Sequence, residues 1–229
     1  MKITFIDHSG FLIELKQSVL LFDYYKGEIP DVPGKKWYVF VSHFHEDHFQ
    51  SSIFQLREKY DDITFIISKD VCKYRKNLLK KPYEVVTWNQ SYQIGELAVD
   101  TFKSTDEGCA YFVHVEGYDI YHAGDLHWWH WIGEPDADNE AMRIGYTSQI
   151  DRLMDEKMDV AFMLLDPRQE EAYDWGMNYF MEHTKAKIVF PMHMWGQYDW
   201  CDKYLCSEKG QNYYKRFQKI TREGETFHL

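Results

Sequence analysis

Residues 42–49 read SHFHEDHF, three histidines and two carboxylates directly after the apolar run WYVFV. His43 and His45 are two apart, so an extended segment points both imidazoles to the same side, while Asp47 and His48 follow as the chain turns towards a helix. Such a run can supply one metal ion from the first pair and a second from the last pair. A single histidine is more often a hydrogen-bonded surface or core residue; it is the clustering of ligand types that points to metal.

These side chains need elements that bring them together. WYVFVSH, YDIYHAGD, VAFMLLD and KIVFPMH each run apolar for several residues and end on His or Asp. Ligand-type groups at the carboxyl ends of buried strands converge on one edge of a sheet. KITFID, FLIEL, VLLFD, ITFIIS, YQIGELAVDTFK and CAYFVHVEG add further strand patterns with Gly, Asp or Asn between them. Helical spacing is expected at SSIFQLREKY, over 138–157 and near YDWGMNYFMEH, the last lying between two strands as a β-α-β passage. The expectation is a layered α/β fold.

Composition bounds the function. The 229 residues are 45% hydrophobic, enough for a substantial core, and carry a formal net charge of −11. Phosphate-backbone binding would work against that field, so nucleic acid is not an expected partner, and the short basic run KYRKNLLKK reads as a solvated helix face. The N-terminus lacks a signal-peptide pattern and no stretch has the length to span a bilayer, so the expectation is a cytoplasmic protein with no membrane partner. Cys72, Cys109, Cys201 and Cys206 are scattered and read as reduced thiols.

HFHEDH matches the H-x-H-x-D-H signature of the metallo-β-lactamase superfamily, and the chain resembles that superfamily along nearly its whole length. HSGFLIEL is similar to its first hairpin, YHAGD to the strand that delivers a metal-bridging aspartate, and VFPMH to the late strand that ends on a ligand. The resemblance implies one domain over residues 1–229, a four-layer αβ/βα sandwich of two pseudo-similar halves. It implies that His43 and His45 bind a first metal, that Asp47, His48 and His193 bind a second, and that Asp125 bridges both. STDEG and the Trp-rich GDLHWWHW together resemble an uncharacterised bacterial branch, loosely similar to ascorbate-phosphate lactonases.

One departure bears on the metal. The superfamily usually adds a histidine to the first site from a loop that here reads KSTDEGCAYF. Asp106 or Glu107 could take that place as an oxygen ligand, or Ser104 and Thr105 could leave it open to water; Asp106 is the expected ligand. Two divalent ions are expected, zinc or manganese, with iron possible because oxygen ligands shift preference away from zinc.

Around such a centre, Trp128 and Trp195 are expected in a substrate-facing wall, with His130 as a proton donor or extra ligand. His8 in DHSGF is expected at the substrate as a polar group near the metals, the other reading being a structural turn residue. Arg168 in LLDPRQ either clamps a substrate carboxylate or phosphate or pairs with Asp166. The expected activity is hydrolysis, by a metal-bound hydroxide that Asp47 orients, of an ester, lactone, amide or phosphoester of a small metabolite. Iron-dependent redox chemistry on the same fold and a catalytically impaired ligand-binding protein are the alternatives. Oligomeric state is not readable.

Overall fold

A computed structural model describes residues 1–229. β1 (Lys2–Asp7), β2 (Gly10–Glu14), β3 (Ser18–Phe22), β4 (Lys36–Val41), β5 (Ile63–Ser68) and β6 (Glu84–Val86) lie in sequence order in one sheet. β7 (Ser91–Ile94), β8 (Leu97–Lys103), β9 (Cys109–Val115), β10 (Tyr118–His122), β11 (Val160–Leu164) and β12 (Ile188–Met192) do the same in a second. The closing β13 (Thr226–His228) returns to pair antiparallel with β1. Each sheet begins with antiparallel meanders and ends in parallel strands, β3 to β6 in the first and β10 to β12 in the second.

Strand periodicity explains the layers. Leu20 and Phe22 of β3 face inward, where Phe22 stacks on Phe40 at 4.5 Å and on His122 at 4.9 Å, while Phe11 meets Phe162 of the second sheet at 4.2 Å. The alternate residues Val19 and Leu21 face out and are covered by Phe49, Ile53, Phe54 and Val71. Phe49 ends the loop before a 3₁₀ helix (Ser51–Glu58) that supplies Ile53 and Phe54, and Val71 comes from α1 (Lys69–Tyr74). On the second sheet, α2 (Asp136–Ile150) and α3 (Trp175–His183) bury Tyr146, Ile150, Met177 and Phe180 in the main core. α4 (Trp200–Cys206) follows β12.

Helix, sheet, sheet and helix are the expected four layers. SSIFQLREKY forms a 3₁₀ rather than an α helix, and the 138–157 pattern is α-helical only to Ile150. The basic run is interrupted too: α1 ends at Tyr74 and Lys76–Leu78 is a 3₁₀ turn. No helix is long and apolar enough to cross a membrane, and all four cysteines are free.

Candidate metal centre

The carboxyl-terminal ends of β4, β10 and β12 and the turns after β1 and β8 meet at one edge of the sandwich. β4 delivers Ser42 and His43, and the loop that follows carries His45, Asp47 and His48. β10 runs out at His122, and the turn through Gly124 presents Asp125. His193 directly follows β12 with φ +65°, and His8 directly follows β1 with φ +53°, both in the left-handed region that non-glycine residues seldom occupy. The His193 N–H donates to the His8 carbonyl at 3.0 Å, so the two strained turns hold each other.

The loop after β8 is pressed onto β4. Gly108 sits at φ +67°, and a Cβ there would fall 1.9 Å from the Ser42 carbonyl oxygen and 2.7 Å from His43 Cβ. Glycine is the residue that permits this approach, which brings Asp106 to His45. Thr105 ties the same loop to the other side: its hydroxyl accepts from the His127 N–H at 3.0 Å and donates to the His127 carbonyl at 2.6 Å.

Two groups of potential ligands result. His43, His45, Asp106 and Asp125 form one, and His8, Asp47, His48 and His193 the other, with the ligand atoms of each group within 4.8 Å of one another. In the first, His43 Nε2 is 3.0 Å from His45 Nδ1, His45 Nδ1 is 3.3 Å from Asp106 Oδ2, and His43 Nε2 is 3.6 Å from Asp125 Oδ2. In the second, Asp47 Oδ2 lies 3.1 Å from His8 Nε2, 4.0 Å from His48 Nε2 and 3.7 Å from His193 Nε2. Asp125 Oδ1 turns to this group, 3.1 Å from His48 Nε2 and 3.5 Å from His193 Nε2. Ligand atoms about 2.1 Å from a tetrahedral ion stand roughly 3.4 Å apart, so these separations match a shared cation.

The hydrogen bonding around the groups tests that fit. Asp23 accepts from His48 Nδ1 at 2.9 Å, Asp166 accepts from His193 Nδ1 at 2.9 Å, and Ser42 Oγ bonds His43 Nδ1 at 2.9 Å. Each outer partner fixes the ring so that Nε2 faces the centre, as ligating histidines require. The inward atoms His8 Nε2, His48 Nε2, His193 Nε2 and Asp125 Oδ1 are buried without hydrogen-bond partners. Unpaired buried polar atoms are costly, and four that converge fit a cation.

Electrostatics agree. Burial pushes His43 and His8 down to about 4, holding both neutral as ligands must be. Burial would raise Asp47, but the neighbouring imidazoles of His8, His48 and His193 hold it below the usual carboxylate range. His48 runs the other way: burial opposes its charge, yet Asp125 and Asp23 raise it well above an ordinary histidine. The buried carboxylates therefore demand positive charge at this spot.

Residues 2–136 match the model of the beta-lactamase superfamily domain. The chain belongs to that superfamily. A metal-dependent hydrolase of Desulforamulus reducens is 28% identical over 144 residues, covering 55% of this chain and 62% of that protein. The chain thus matches less than two thirds of that relative's length. Among solved structures, a metallo hydrolase from the archaeon Ignicoccus hospitalis superposes with a TM-score of 0.68 at 14% identity, over 100% of this chain and 98% of the other. CmlA, a diiron β-hydroxylase from Streptomyces venezuelae, gives a TM-score of 0.66 at 10% identity, over 100% of this chain and 54% of its own. At such identities the likeness is one of fold.

On this superfamily scaffold, His43, His45, Asp47, His48, Asp106, Asp125 and His193 all come together. His8, expected at the substrate, stands instead inside the second ligand group. A cleft of about 290 Å³ opens above, lined by Thr105, Trp129, Trp131, Met142, Arg168 and Trp195 besides the ligand residues. Trp195 and Arg168 line this cleft.

Trp128 and His130 do not. Trp128 packs edge-on against Trp175 at 5.7 Å and Tyr179 at 6.2 Å, and His130 lies on Trp175 at 4.6 Å, both directed to α3. Side chains alternate along this extended segment, so Trp129 and Trp131, stacked 5.6 Å apart, take the cleft side. Sequence reasoning passed over Asp23, read Asp166 only as a strand-end group and a partner of Arg168, and put the wall on Trp128 rather than its neighbour Trp129. Asp23 and Asp166 carried a signal, since VLLFD and VAFMLLD also end on Asp.

Proposed function

We propose that the chain is a metal-dependent hydrolase with a two-ion centre, acting on an ester, lactone, amide or phosphoester of a small metabolite. The observation that carries this reading is the Asp125 carboxylate, which offers Oδ2 to one ligand group and Oδ1 to the other. His43, His45 and Asp106 would hold one ion, His8, Asp47, His48 and His193 the other, and Asp125 would serve both. Bound there, divalent zinc or manganese supplies an acidified water at neutral pH and polarises the substrate oxygen.

The chain's own residues do the rest. Asp47 is the one carboxylate of the second group, open to the cleft with its side chain 20% exposed, and its oxygens would orient the attacking water. Trp129, Trp131 and Trp195 exclude bulk water from the cleft, which strengthens each electrostatic contact inside it. The small cleft supports a small-molecule substrate rather than nucleic acid or a membrane surface. The free thiols support a reducing, cytoplasmic setting.

Asp106 favours a second reading. A carboxylate where a histidine could stand makes the first group richer in oxygen, which suits iron and a redox reaction. Metal-reconstituted protein should be assayed on nitrophenyl esters, lactones and phosphodiesters beside Asp125→Ala. Turnover with zinc or manganese that the variant lacks supports the hydrolase; activity confined to the iron form and dependent on oxygen replaces it with the redox reading.

A further inference from the structure

We propose that Arg168 is the specificity determinant of the cleft and that the substrate carries an oxyanion, a carboxylate or phosphate, away from the bond that is cleaved. The inference rests on the hydrolase reading for the word substrate, while the anion site itself stands on the geometry of Arg168.

Only one edge of the guanidinium is spent within the protein. Nε donates to Oδ1 and Oδ2 of Asp166 at 3.0 Å, and Nη2 donates to Oδ2. Nη1 and the outer hydrogen of Nη2 reach no protein acceptor. A fork with an unspent hydrogen on each outer nitrogen is the geometry that receives a carboxylate or phosphate through two parallel bonds.

The fork is also held in place. Its Cζ lies 4.6 Å from the centre of the Trp195 ring and 5.7 Å from that of Trp131, both on the cleft wall. Asp166, completely buried, anchors the other edge and receives the Arg168 N–H as well at 2.9 Å. A guanidinium fixed on one edge and by aromatic contacts loses little further freedom when it binds. Trp195 adopts φ +53° and remains 42% exposed, so a large apolar ring is kept in a strained backbone beside the arginine. A plain ion pair with Asp166 would need neither the strain nor the exposure.

Arg168 belongs to the same site as the ligand groups. Asp166 bridges it to His193, and the charges of Asp125 and Asp47 both act on it. Arg168 is the one lysine or arginine that lines the cleft, whose other charged side chains are the ligand-group carboxylates Asp47, Asp106 and Asp125, so an anion outside the ligand groups has this guanidinium as its protein partner.

The test uses metal-loaded protein and probes that cannot be hydrolysed. Tryptophan fluorescence would follow binding of linear dicarboxylates of several chain lengths, their monocarboxylate counterparts, and ω-phosphono carboxylates. One end of each probe can meet the metal centre; only the two-ended probes can also reach Arg168. The expected result is a preference of roughly tenfold or more for a two-ended probe of suitable length, abolished in Arg168→Met and reduced in Arg168→Lys. Comparison of the dicarboxylate and phosphono series tells carboxylate from phosphate. Equal binding of one- and two-ended probes, a preference that survives in folded Arg168→Met, or one that is undiminished in folded Arg168→Lys overturns the proposal. Failure of the hydrolase reading would show separately, as absent turnover with the binding preference intact.

Discussion

Asp166 Oδ2 accepts a hydrogen bond from Nδ1 of His193 at 2.9 Å, and this places the ring's Nε2 3.5 Å from Asp125. The buried carboxylate is therefore a positioning residue. Its charge makes the imidazole a stronger ligand and fixes its tautomer.

Asp166→Asn, which keeps an acceptor but removes the charge, should weaken metal retention in the second group roughly 10- to 100-fold. Competition against a chelator measures this directly. An unchanged affinity would show that His193 does not depend on Asp166.

Gly108 makes a prediction of a different kind. With φ +67° and the Ser42 carbonyl 1.9 Å from the position of a Cβ, Gly108→Ala should cost about 2–4 kcal/mol and loosen the first ligand group. Denaturant unfolding checks the stability, and metal content checks the site. A loss within the ordinary surface range of about 0.5 kcal/mol would mean that the loop does not lie against β4.

How much of this was legible in the sequence differs from residue to residue. HFHEDH, GD at 124–125 and the terminal histidine of KIVFPMH were readable because strand ends and residue types suffice to identify them. The orientation of the Trp-rich segment was not, because it depends on which alternate residues meet α3, a tertiary fact. His8 was ambiguous for the same reason: only the pairing of its carbonyl with the His193 N–H turns a lone turn histidine into a member of the second group. Asp106 was the expected ligand with Glu107 beside it as the other oxygen donor, and it is the Gly108 approach that brings Asp106 to His45.

His127 supplies a pH signature. It is buried, bonded through Nε2 to Gln169 at 2.6 Å, and pushed down by burial to about 4. Unfolded, it titrates near 6.5, so between those values the unfolded chain takes up a proton that the folded chain refuses. Stability from this group is complete above about pH 6.5 and is lost as pH falls towards 4, by about 3 kcal/mol. In chelator, the stability difference between pH 7 and pH 4 should shrink by about that amount in His127→Gln. An identical pH slope in the two proteins would contradict it.

His130 should prove dispensable. It lies against Trp175 and not on the cleft wall, so His130→Ala should leave turnover unchanged, whereas loss of a general acid costs roughly 10²-fold or more. A decline of that size in kcat, with folding intact, would return His130 to the reaction.

The central claim is that Asp125 joins two ligand groups around a pair of ions. Elemental mass spectrometry of gently purified protein, with Asp125→Ala and His48→Ala prepared identically, tests it most directly. The account predicts about two divalent ions per chain, with loss of ions in both variants and the deeper loss in Asp125→Ala, which takes an oxygen from each group. One ion or none in the wild type, or full occupancy without Asp125, would contradict it.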